Sequence, residues 1–222
     1  MTTRETDFLS GIRGVIFDLD GVLLDSMSIW TDLGARYLQS LNIAPEEGLG
    51  DILFSMSMEQ GAQYLKEHYL PDRSAEAILK DLQELLKDFY YNEVAAKEGA
   101  AELIKFLKTR GIKITAATSS PRGHVERALE RNGLLADIEV IFTVAEVGVS
   151  KHSPDIYDAA AKYMGLKREE VLVFEDSLYA LKTAHDAGFK TAGVYDGNGE
   201  KDQEGVAATG DVYLRRLTEL II

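Results

Sequence analysis

The chain has 222 residues, no cysteine, 45% apolar and 27% charged residues, and a formal net charge of −13. That length suits a core lobe with a small accessory domain, and the missing cysteines exclude disulfides, thiolate catalysis and thiolate metal sites. The negative charge repels a nucleic-acid backbone, and no window nears the ~18 consecutive apolar residues of a membrane helix, so neither is an expected partner.

The N-terminus, MTTRETDFLS, has no apolar signal core, which gives the expectation of a cytoplasmic protein. Val15, Ile16 and Phe17 then read as a buried strand that stops on Asp18 and Asp20, with only Leu19 between them and Gly21 behind. Carboxylates at such a place must be hydrated, paired or metal-bound. From about Met27 to Val94 the pattern is helical, with no convincing strand. Its clearest stretch puts Ile78, Leu82, Leu85, Leu86 and Phe89 on one face behind a Ser74 N-cap.

From residue 98 onward helices and strands alternate. A helix carrying Ala100, Leu103, Ile104 and Leu107 ends at Gly111, and KITAAT (113–118) follows as a strand. The next pair is a helix around Val125, Ala128 and Leu129 and a strand EVIFT (139–143). Ile156, Ala159, Ala160 and Tyr163 mark a further helix, stopped by Gly165, before the apolar strand VLVF (171–174). A helix from about Ser177 to Ala187 leads to the strand KTAGV, and GNGEKDQEG (197–205) reads as a surface loop. Such alternation predicts an α/β fold, a Rossmann-like parallel sheet with helices on both faces. Residues 1–26 and 96–222 would form this core, and 27–95 an inserted helical domain.

Ligands of an open parallel sheet bind beyond the carboxyl ends of its strands. The predicted strands end there on Asp18 and Asp20, on Thr118 with Ser119 and Ser120, and on Glu175, Asp176 and Ser177. The loop GVSKHSPD adds Lys151. Singly, each group has a bland reading: a turn, a cap for the helix starting near Pro121, a solvated lysine. Together, four carboxylates in one crevice repel each other and need a divalent cation and a lysine to neutralise them. Magnesium suits such oxygen ligands, Thr118 suits a phosphate oxygen, and Lys151 offsets negative charge. One carboxylate could attack phosphorus while a second moves the proton. His68, His124, His152 and His185 are scattered without metal-ligand spacing.

DLDGVLLDS, Thr118, Lys151 and the EDS of 175–177 resemble, in order, the four motifs of the haloacid dehalogenase-like hydrolase superfamily. The helical insert resembles its subclass I cap, as in β-phosphoglucomutase and phosphoglycolate phosphatase. This resemblance implies that Asp18 is a nucleophile and a magnesium ligand, and that Asp20 is the general acid/base and binds magnesium through its carbonyl. It implies phosphate binding by Thr118 and Ser119, charge balance by Lys151, a metal ligand at Asp176, and Glu175 in or just behind the metal shell. The implied activity is a magnesium-dependent phosphatase acting on a small phosphorylated metabolite, expected as a monomer or weak dimer. Trp30 and Met58 stand where the mutase pattern has a histidine and an arginine, which weakens a sugar phosphomutase, the alternative. A non-catalytic binding protein on this scaffold is the third reading, and the intact Asp18, Asp20, Lys151 and Asp176 argue against it.

Overall fold

The structure, a computed structural model, describes residues 8–54 and 56–221. The first seven residues of the N-terminal stretch, and Ser55 at the head of SMSMEQG, lie outside the described residues. The chain divides into two compact units, Ser26–Val94 and the combination of Met1–Asp25 with Ala95–Ile222.

The smaller unit is helical: α1 (Ser28–Ser40), α2 (Leu49–Phe54), α3 (Met58–His68) and α4 (Ala75–Asp88), followed by a π-helical turn at Phe89–Glu93. Local chemistry starts two of these helices. The Ser57 hydroxyl accepts from the Gln60 N–H while the Gln60 side chain accepts from the Ser57 N–H, a reciprocal capping box. The Ser74 hydroxyl accepts from the Ala77 N–H at 3.2 Å, and α4 then buries Ile78, Leu82 and Leu86 at helical spacing. A polar clasp ties α1 to α4: Arg73 donates to the Tyr37 hydroxyl at 2.7 Å, and that hydroxyl donates to Asp81 at 3.1 Å.

The larger unit is a six-stranded parallel sheet in the order β3-β2-β1-β4-β5-β6. Its strands are β1 (Gly14–Phe17), β2 (Lys113–Thr118), β3 (Ile141–Thr143), β4 (Val171–Glu175), β5 (Lys190–Val194) and β6 (Val212–Leu214). Between them run α5 (Ala100–Thr109), α6 (Arg122–Arg131), α7 (Val144–Val147), α8 (Asp155–Met164), α9 (Leu178–Asp186) and α10 (Gln203–Thr209). Side chains alternate between the faces of a strand. Ile16, Ala117 and Val173 therefore share one face, where they meet Ile156, Tyr157 and Ala160 of α8 in a buried cluster. Phe17 and Phe174 point to the other face and stack with centroids 4.4 Å apart. All these residues are buried, so both faces of the sheet are covered and the central strands read as continuous apolar runs.

The C-terminal segment departs from the sequence expectation. Residues 197–205 were expected as surface loop, yet α10 begins within them at Gln203, with the Asp202 carboxylate accepting from the Gly205 N–H at 2.8 Å. Strand β6 adds to the sheet edge with three residues, of which only Leu214 is buried. Three residues are too few to show a hydrophobic period.

Candidate active site

The chain order places β1 at the middle of the sheet, with successive crossovers running outward from it in opposite directions. A crevice opens at such a switch point, beyond the strand ends. Asp18 follows directly on β1, and its N–H extends the ladder by donating to the Phe174 carbonyl at 2.9 Å. The chain then turns sharply. The Leu19 carbonyl accepts from the Leu23 and Leu24 N–H groups, and Gly21 occupies a left-handed conformation with φ +75°. A side chain at position 21 would strain that backbone, which explains the glycine.

Lys151 stands between two of the strand ends. Its Nζ donates to Asp18 Oδ1 at 2.6 Å and to Glu175 Oε1 at 2.7 Å. Its side chain is 3% exposed and that of Glu175 is 0% exposed, so this is a desolvated pair of charge-assisted bonds rather than a surface contact. One carboxylate oxygen from each of Asp18, Glu175 and Asp176 lies within 4.8 Å of the others. The Tyr157 hydroxyl also donates to Glu175 Oε1, at 2.7 Å. The second oxygen, Glu175 Oε2, is buried with no hydrogen-bond partner among the described residues. A buried carboxylate oxygen left open is expensive unless a cation completes it. Three clustered oxygen donors and one orphaned oxygen therefore fit a hard divalent ion.

The electrostatics agree with that reading. Burial pushes the Asp18 carboxyl well above its usual range, Lys151 pulls it down, and Glu175, Asp176 and Asp20 add to the rise. Burial likewise lifts Asp176, to about 7, with Glu175 adding and Lys151 opposing. For Lys151 burial disfavours the charged form, but Asp18 and Glu175 outweigh it and hold the ammonium above its ordinary value. One lysine cannot neutralise three buried acids.

Thr118, the last residue of β2, is buried, whereas Ser119 is exposed. Ser120 also reaches the site: its hydroxyl donates to Asp20 Oδ2 at 2.6 Å, and its N–H donates to Thr118 Oγ1 at 3.0 Å. Helix α6 follows with Pro121 as its N-cap residue.

Sequence reasoning also missed a second cation. Lys97 Nζ donates to the Gly21 carbonyl, to the Tyr195 carbonyl at 2.7 Å and to Asp196 Oδ2 at 2.9 Å. It thus ties the turn after Asp20 to the loop after β5. Asp196 is buried, raises the Asp176 carboxyl, and accepts from the Asn198 N–H at 2.8 Å. Neither Lys97 nor Asp196 belongs to a short motif. The available signals were a lysine between alanine and glutamate near the end of the insert and an aspartate two residues past a strand.

This fold and acidic site define a hydrolase built on an aspartate-centred crevice. The chain belongs to the haloacid dehalogenase-like hydrolases, matching that family over residues 12–188. It is 28% identical over 179 residues to a phosphorylated carbohydrates phosphatase of Thermotoga maritima, covering 81% of this chain and 83% of that one. It is 29% identical over 212 residues to phosphoglycolate phosphatase of Salmonella choleraesuis, covering 85% and 83%. A Thermotoga maritima crystal structure, provisionally described as a beta-phosphoglucomutase, superposes with a TM-score of 0.85 at 25% identity, covering 95% of this chain and 97% of that one. No described helix is long and apolar enough to cross a membrane.

Proposed function

We propose that this hydrolase is a magnesium-dependent phosphatase that releases phosphate from a small phosphorylated metabolite through an aspartyl-phosphate. The observation that carries the reading is Lys151 clamped between Asp18 and Glu175, with Asp176 completing a buried acidic cluster. Asp18, Asp176 and Glu175, with the Asp20 carbonyl, would hold the ion. When bound, it supplies the positive charge that lets carboxylates and phosphate oxygens share one crevice.

The residues then divide the work. Asp18 attacks phosphorus in line, and its bond to phosphorus forms as the ester oxygen departs. Asp20, oriented by the Ser120 hydroxyl, gives its proton to that oxygen. It next takes a proton from water, which attacks the same phosphorus, frees inorganic phosphate and regenerates Asp18. Lys151 pulls Asp18 toward its anionic form against the rise that burial causes, and Thr118 would offer a hydroxyl to the phosphate. Both curated relatives described above are phosphatases by name, which supports the same class. Trp30 and Met58 offer no charge to hold and rotate a sugar bisphosphate, which disfavours the mutase alternative.

The test is phosphate release from a panel of phosphomonoesters with magnesium. Asp18→Asn should lower turnover by at least about 10⁴-fold, as losses of a nucleophile do, with an unchanged circular dichroism spectrum. Near-normal rates in that variant would end this mechanism.

A further inference from the structure

The acidic crevice lies at the carboxyl ends of the strands, and the amino ends of the same sheet carry the opposite charge. A cavity of about 280 Å³ opens there, beside the starts of β1 and β2. Its charged lining residues are Arg13, Arg110 and Lys113, with no acid among the described residues around it. In a chain with 37 acidic side chains against 24 basic ones, composition alone does not favour an all-cationic cavity.

Cations gathered without an anion repel one another. Two of the three have partial partners: Arg13 donates to Glu170 Oε1 at 2.9 Å, and Lys113 Nζ donates to the Met164 carbonyl at 2.7 Å. Neither contact uses up its donors, since a guanidinium has five N–H groups and an ammonium three. Arg110 differs. Its side chain makes no hydrogen bond or ion pair among the described residues, and its guanidinium lies over the Phe106 ring, 4.1 Å from the centroid. A guanidinium held against a ring keeps its N–H edges open, ready to receive an oxyanion in two parallel bonds.

The competing role is helix capping, because Arg110 closes α5 and cations favour helix C-termini. Carbonyls in the last turn of α5 already have other donors, however. Phe106 accepts from the Thr109 hydroxyl at 2.7 Å, Leu107 from the N–H groups of Arg110 and Ile112, and Lys108 from the Gly111 N–H. The guanidinium is left over.

We propose that this cavity is a second anion site, separate from the acidic crevice, that takes a phosphate group on Arg110 with Arg13 and Lys113 beside it. The site depends on neither the metal nor the phosphatase reading.

The test is an NMR titration of the ¹⁵N-labelled full chain with inorganic phosphate, at constant ionic strength set with chloride. The Arg110 Nε–H signal and the amides of Gly111, Ile112 and Lys113 should shift together and saturate. Arg110→Gln, read at the Gly111 amide, should weaken binding about tenfold or more, as loss of a charge-assisted bond does. Lys105→Gln removes a cation of the same helix outside the cavity and should leave binding unchanged. Methylphosphonate separates the sources: binding of both anions assigns the site to phosphate groups carried by metabolites, and binding of phosphate alone assigns it to the free ion. Shifts that never saturate, a response lost alike in both variants, or an affinity untouched by Arg110→Gln overturns the site. Arg110 is exposed, so the rest of the spectrum should stay in place. If it does not, Arg13→Gln, also exposed, takes its place with the same criterion. No turnover is read, so failure of the phosphatase reading would leave this result standing.

Discussion

The carboxyl edge of the sheet and the cavity of the helical insertion are built on opposite principles. At the sheet edge, Asp18, Glu175 and Asp176 are buried around Lys151, and charge is placed where solvent cannot soften it. In the insertion, a cavity of about 320 Å³ is walled by Met27, Trp30, Leu33, Leu53, Met56 and Met58, with no charged residue among its described lining residues. In the first region each group answers to a particular partner, so changes should act steeply. In the second the contacts are apolar packing, so changes should be graded, as volume-conserving apolar swaps usually are.

That contrast can be broken from the charged side. Lys151→Met should have the largest effect: it strands buried carboxylates, destabilising the fold by about 3–5 kcal/mol in a urea titration, and phosphate release should become hard to detect. Retention of most activity would mean that the lysine is ordinary packing. Lys97→Met comes next, because it leaves two carbonyls and buried Asp196 without their donor, at about 1–3 kcal/mol. Since its partners flank the turn after Asp20 and the loop near Asp176, it should lower kcat and raise the magnesium requirement more than it raises KM. A purely structural lysine would alter melting alone.

The smallest effect is one of pH. The Asp176 carboxyl, lifted from 3.8 to about 7 in the folded protein, binds a proton that the unfolded chain has already released. Without metal, its contribution to stability is complete below about pH 4 and lost as pH rises through about 7. Magnesium competes for the deprotonated form, so it should raise the melting temperature by several degrees at pH 8 and by little at pH 5. An equal rise at both values would separate metal binding from this carboxylate.

Much of the sheet was legible because buried parallel strands are written as plain apolar runs, VIF and VLVF, interrupted by helical periods. The acids at the strand ends stood out because burial next to such runs makes charge conspicuous. Ser120 was harder to read, since nothing about a hydroxyl between a strand and a helix tells that it reaches Asp20. Tyr157 sits beside Ile156 in the apolar stripe of α8, and nothing local tells that its hydroxyl reaches Glu175. Lys97 reaches Gly21 and Asp196 only through the fold, across sequence separations that no periodicity encodes. The cavity was invisible for a different reason: empty space has no residues of its own, and the glycines that line it, Gly34 and Gly61, look like any other helical glycines.

The central claim is that Asp18 carries the phosphoryl group, and it can be caught in the act. In Asp20→Ala the group that activates water is gone, so with p-nitrophenyl phosphate, whose leaving group departs without a proton, the phosphoenzyme should accumulate after rapid mixing with substrate and magnesium. Acid quenching and borohydride reduction would convert an acyl phosphate at that position to homoserine, located by peptide mass spectrometry. Homoserine at residue 18, absent without substrate, is the expected result. Rapid phosphate release with no modified peptide, or a modification on any other carboxylate, would contradict it.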